Sequence, residues 1–134
     1  MPRVLVIDDD QHFRHYLVAL LERAGYEVLS LQDGQRASAV LETSTIDAIV
    51  TDLYMPNADG IEIVGMVRQR APSVPVIGVS GGPLRARDPC IAAMKLLGAK
   101  TVLAKPLDAA AFLAVLREAL ASALQAKPTS GKSE

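Results

Sequence analysis

Ile49-Val50-Thr51-Asp52-Leu53-Tyr54-Met55-Pro56-Asn57-Ala58-Asp59-Gly60 runs an apolar stretch into one carboxylate and then into a turn. A short apolar run bounded by turn residues reads as a buried strand. Here it covers residues 46–51, with Asp52 at its exit. A carboxylate leaving a strand stands at the carboxyl edge of a sheet, where open α/β sheets gather their ligands and chemistry.

Working outward, four more runs read as strands: residues 3–7, 26–31, 74–79 (despite Pro75) and 101–104. Helical spacing lies between them. Residues 11–24 place Phe13, Leu17, Leu20, Leu21 and Ala24 on one side, and Gly25 closes that helix. Asp33-Gly34 opens a weaker helix carrying Ala37, Val40 and Leu41 and ending near Ser44. Asp59-Gly60 starts one with Ile63, Val64 and Val67 inward, stopped before Pro72. Asp88-Pro89 begins a fourth through Leu97, with Gly98 as its stop. Asp108 caps the fifth, whose Phe112, Val115, Leu116, Ala119, Leu120 and Ala123 share a face. Such alternation predicts a parallel sheet with helices on both faces. The continuous apolar runs of the first, third and fourth strands suit burial on both sides.

The chain has 134 residues, half of them hydrophobic, enough for one domain with a real core. Residues 1–124 form that domain, and 125–134 read as a disordered polar tail or linker. Nothing after Leu124 is long enough for an output domain, which predicts either a stand-alone module or a piece of a longer regulator. A net charge of -1 offers no basic footprint for nucleic acid. No apolar run approaches the roughly 20 residues of a membrane span, and Met1-Pro2-Arg3 enters a strand without a signal-peptide core. Cys90 is alone, which excludes a disulfide framework and fits a reducing cytoplasm.

The strand exits carry the chemistry. The first supplies Asp8, Asp9 and Asp10, the third Asp52, the fourth Ser80 and the fifth Lys105. In a parallel sheet these exits share one edge. Clustered carboxylates repel one another unless a cation lies between them. Magnesium suits the position, because it prefers oxygen ligands and is often completed by a phosphate. A hydroxyl and an ammonium nearby suit an incoming phosphoryl group. The set describes phosphoryl transfer onto an aspartate. Plainer roles go to the rest: Asp10 and Asp59 as helix caps, His12 and His15 as surface residues, and Cys90 as a small filler.

The Asp8-Asp9 pair, the Asp52-Leu53-Tyr54-Met55-Pro56 to Asp59-Gly60 block, Ser80 and Lys105-Pro106 together resemble the receiver domain of two-component response regulators. The resemblance runs from about Arg3 to Leu124. It implies a flavodoxin-like, doubly wound five-stranded parallel sheet in the order 2-1-3-4-5. It implies Asp52 as phosphoacceptor, supplied by the phosphohistidine of a histidine kinase or a histidine phosphotransfer protein. Asp9 would bind magnesium directly and Asp8 mainly through water, with Asp52 and the Tyr54 carbonyl completing the protein's share. Ser80 and Lys105 would bind phosphoryl oxygens, and the Lys105-Pro106 bond would be cis. A downstream protein would dock on the fourth and fifth helices. The domain would catalyse only its own phosphorylation and dephosphorylation.

The chain departs from that pattern at three positions. Val102 stands where a switching Tyr or Phe is frequent, Gly81 follows Ser80 where alanine is common, and Leu107 replaces a frequent aromatic. With Val102 at the switch position, the Ser80 loop and the fourth helix are expected to form the two-state element. Two rivals remain. A haloacid-dehalogenase-type phosphatase would use Asp8 of Asp8-x-Asp10, although His12 replaces the expected Thr or Val and a late acidic pair is missing. A phosphate-independent interaction domain of receiver fold is the other. No G-x-G-x-x-G follows the first strand, which disfavours a dinucleotide site.

Overall fold

The computed structural model describes residues 1–53, 60–81, 95–96 and 98–126. Strands β1 (Arg3–Ile7), β2 (Glu27–Leu31), β3 (Ala48–Asp52), β4 (Val76–Ser80) and β5 (Thr101–Ala104) form one parallel sheet in the order β2-β1-β3-β4-β5. This is the flavodoxin-like order expected from the resemblance. Helices α1 (Gln11–Arg23), α2 (Ala37–Thr43), α3 (Gly60–Arg70) and a C-terminal helix (Ala109–Ala126) flank it.

Alternation along β1 decides which helices lie on which side. Successive strand side chains point to opposite faces. Leu5 and Ile7 enter a cluster with Ala37 of α2 and with Ile63, Val64 and Val67 of α3. Val4 and Val6 enter a second cluster with Leu17 and Leu21 of α1 and with Phe112, Leu116 and Ala119 of the C-terminal helix. Every residue of β3 and β4 is buried, as strands covered on both faces must be. Because β2 and β3 lie on opposite sides of β1, the order reverses there, which opens a crevice at the carboxyl ends of β1 and β3.

Several elements differ from their sequence-predicted bounds. The 74–79 run pairs only from Val76, and its strand continues through Ser80. Pro75 has no N–H to donate, yet its carbonyl accepts from Ile49 N at 2.9 Å, so the neighbouring strand selects the pairing frame. Val74 N turns back to Ala71 O at 3.0 Å. Ser80 is therefore a strand residue, opposite Ala104, rather than a loop residue. β3 likewise begins at Ala48 and includes Asp52, and β2 begins at Glu27. The weak second helix starts as a 3-10 turn, Gly34–Arg36, capped by the Asp33 side chain. The turn at 54–59, the expected fourth helix with Cys90 and the tail from 127 lie outside the described residues; residues 95–96 are helical.

Gly98 ends that segment with φ +114, and a Cβ there would stand 2.5 Å from Arg68 Nη1. The guanidinium can move aside, whereas the left-handed backbone remains costly for any L side chain. Gly98→Ala is expected to lower stability by about 1–2 kcal/mol. Urea unfolding should show a lower midpoint with an unchanged slope, and an unchanged midpoint would refute the point.

Candidate functional site

Strand pairing brings the expected exits together. Ile7 lies opposite Thr51, Asp52 opposite Val79 and Ser80 opposite Ala104, so Asp8, Asp52, Ser80 and Lys105 follow one another across a single edge. Asp8 is fully buried, Asp52 is 7% exposed and Ser80 5%. The edge is tied by backbone bonds: Asp8 N donates to Leu31 O at 3.1 Å and Lys105 N to Ser80 O at 2.7 Å. The Lys105-Pro106 bond is cis, in keeping with the resemblance.

The turn after β1 sorts the three acids. Asp10 is the N-cap of α1 and accepts from His12 N and Phe13 N, and the Phe13 bond holds its carboxyl below the usual range. Asp8 Oδ1 accepts from Asp10 N at 2.8 Å, and Arg14 Nη1 donates to the Asp8 carbonyl at 2.7 Å. These bonds turn Asp8 inward and leave Asp9 exposed. His12 and His15 are exposed, as expected of surface residues.

Lys105 Nζ stands 2.8 Å from Asp8 Oδ2 and 3.8 Å from Asp52 Oδ2. The shorter contact is an ion pair without hydrogen-bond alignment: Asp8 Oδ2 is buried and has no aligned donor among the described residues. Burial first, and then the charge of Asp8, push the Asp52 carboxyl up to about 6, against the opposing pull of Lys105. Oxygens of Asp8, Asp9 and Asp52 lie within 4.8 Å of one another. Among the described residues, these carboxylates outnumber the one ammonium beside them, and a buried oxygen among them lacks an aligned donor. Both features fit a hard divalent cation such as magnesium.

Two site contributors were missed in the sequence. Phe13, read as core, presents its ring 4.2 Å from Lys105 Nζ. Arg14 holds the Asp8 carbonyl. Their place in the first turn after the Asp10 cap puts them near the edge, but no spacing rule aims them at it. Val102 is buried at 6% in the core cluster with Val64 and Ala99. Tyr54 lies outside the described residues.

Residues 4–117 match the family model described as the response regulator receiver domain. The chain belongs to the receiver family. This receiver is 38% identical over 120 residues to the regulatory protein VirG of Agrobacterium fabrum, a match covering 90% of this chain and 46% of that protein. It is 33% identical over 89 residues to the response regulator receiver protein CpdR of Brucella abortus, covering 66% of this chain and 74% of that one. A receiver domain from Clostridium thermocellum superimposes with a TM-score of 0.83 at 29% identity, covering 95% of this chain and all of that one. The chain thus spans less than half the length of VirG. Membership makes it a signalling domain of two-component systems, in which receivers take phosphoryl groups from histidine kinases. The match, with the acidic set complete, decides against both the haloacid-dehalogenase phosphatase and the phosphate-independent module. Among the described residues no helix is long and apolar enough to cross a membrane.

Proposed function

We propose that this receiver, residues 1–124, accepts a phosphoryl group on Asp52 from the phosphohistidine of a histidine kinase or histidine phosphotransfer protein, in the cytoplasm and with magnesium. The observation that carries the reading is the convergence of Asp8, Asp9 and Asp52 oxygens within 4.8 Å, with Lys105 Nζ 3.8 Å from Asp52. Asp8, Asp9, Asp52 and the Tyr54 carbonyl would hold the ion. When bound, it supplies positive charge to carboxylates and phosphoryl oxygens that would otherwise repel.

The rest is the work of the chain's own residues. An Asp52 carboxylate oxygen attacks phosphorus while the P–N bond to the donor imidazole breaks, and the departing nitrogen takes up a proton. Lys105, held at the edge by its backbone bond to Ser80, balances negative charge gathering on the phosphoryl oxygens. Ser80, 5% exposed at the end of β4, donates its hydroxyl to one of them after transfer. Val102 has no ring to swing and is already packed, so the state of Asp52 passes through Ser80 and the loop behind it to a protein docked on the fourth and fifth helices. The domain catalyses nothing beyond its own phosphorylation and dephosphorylation.

Acetyl phosphate should label the protein in magnesium, and peptide mapping of the acid-stable fragments should place the label on Asp52. Chelation with EDTA should reduce labelling more than tenfold, because the acidic cluster then faces the donor without its counter-ion. A label on any other residue, or labelling indifferent to chelation, would overturn the assignment.

A further inference from the structure

We infer that Phe13 is a positioning residue for phosphoryl transfer, its ring face holding the Lys105 ammonium at the site independently of the carboxylates. The inference rests on the reading of Lys105 given above. Lysine carries its charge on a flexible four-carbon stem, and fixing that stem costs rotamer entropy. Among the described residues, three groups hold it: Asp8 Oδ2 at 2.8 Å, Asp52 Oδ2 at 3.8 Å, and the Phe13 ring with its centroid 4.2 Å from Nζ.

The two carboxylates belong to the acidic cluster itself. Any cation or phosphoryl group arriving there weakens their hold on Lys105, at the moment its position matters most. The ring carries no net charge, accepts no metal and is not altered by the chemistry. It attracts the ammonium through its quadrupole, more strongly here than on an open surface because the lysine side chain is only 14% exposed.

The ring is itself held from several sides. Phe13 N donates to the Asp10 cap at 3.2 Å, which sets the first turn of α1. The side chain packs on the cluster containing Leu17 and Leu21 and stands 6.0 Å from the Tyr16 ring. Packing alone would be served by any side chain of that bulk. A ring face beneath an ammonium serves the ammonium.

The test compares Phe13→Leu, which keeps apolar bulk, with Phe13→Tyr, which keeps the ring. Rates of Asp52 phosphorylation by acetyl phosphate are measured in saturating magnesium, the NMR shifts of the Lys105 ε-methylene protons report ring stacking, and urea unfolding confirms folding. The leucine variant is expected to slow phosphorylation about fivefold and to lose the upfield ring-current shift, while the tyrosine variant restores most of both. A leucine variant that phosphorylates at the wild-type rate after losing the shift overturns the inference, and so do leucine and tyrosine variants slowed alike. Should the wild type itself take no label on Asp52, the proposed function fails first and this inference with it.

Discussion

Asp52→Ala is expected to lose labelling by acetyl phosphate in magnesium entirely, a fall of more than about 100-fold, because the nucleophile itself is removed. The neighbouring acids cannot take its place. Asp8 Oδ1 is occupied by the Asp10 amide, and its Oδ2 is paired with Lys105. Asp9 is exposed to water on the turn. Among the described acids, Asp52 is the one that stands at a strand exit between Asp8 and Ser80, partly desolvated and within reach of an ammonium. Phosphorylation is followed by radiolabel or intact mass. A stoichiometric product in the alanine variant would remove Asp52 from the mechanism.

Asp52→Asn is expected to make the metal-free protein more stable at neutral pH, by up to about 3 kcal/mol. The folded state holds the Asp52 carboxyl near 6 instead of the ordinary 3.8, with burial as the main cause and the charge of Asp8 next. Between those values the folded protein binds more protons than the unfolded chain. Stability therefore falls as pH rises through that window and levels off above it. A neutral amide of the same shape carries no such dependence. Urea midpoints in EDTA should decline from pH 4.5 to 7 for the wild type more steeply than for the asparagine variant, and parallel curves would sink the prediction. Adding magnesium should stabilise the wild type more than the variant, since a ligand that binds only the folded state raises its stability by mass action. The raised Asp52 carboxyl is thus a source of instability in the metal-free fold.

The candidate site was legible because its signals are local. A β-branched run, a carboxylate and a turn residue are neighbours in the chain, and parallel strands carry all their exits to one edge. Asp8, Asp9, Asp52, Ser80 and Lys105 could each be placed by that rule alone. What escaped it depends on contacts between elements. The start of β4 moved from Val74 to Val76 because the Ile49 amide bonds the Pro75 carbonyl. Which of two adjacent acids is buried depended on the Asp10 cap and on Arg14, a full turn into α1.

The sequence by itself determined five strands in alternation with helices, an edge carrying three acids, a hydroxyl and an ammonium, and the apolar faces that cover the sheet. Those features follow from hydrophobic period and turn chemistry, which act over a few residues. Only the tertiary structure decided that the Asp52 carboxyl is raised, that Asp8 rather than Asp9 takes the buried ion pair, and that Phe13 lies against Lys105. Desolvation, ion pairing and ring–cation attraction are sums over groups far apart in the chain, and they acquire values only when folding sets the distances.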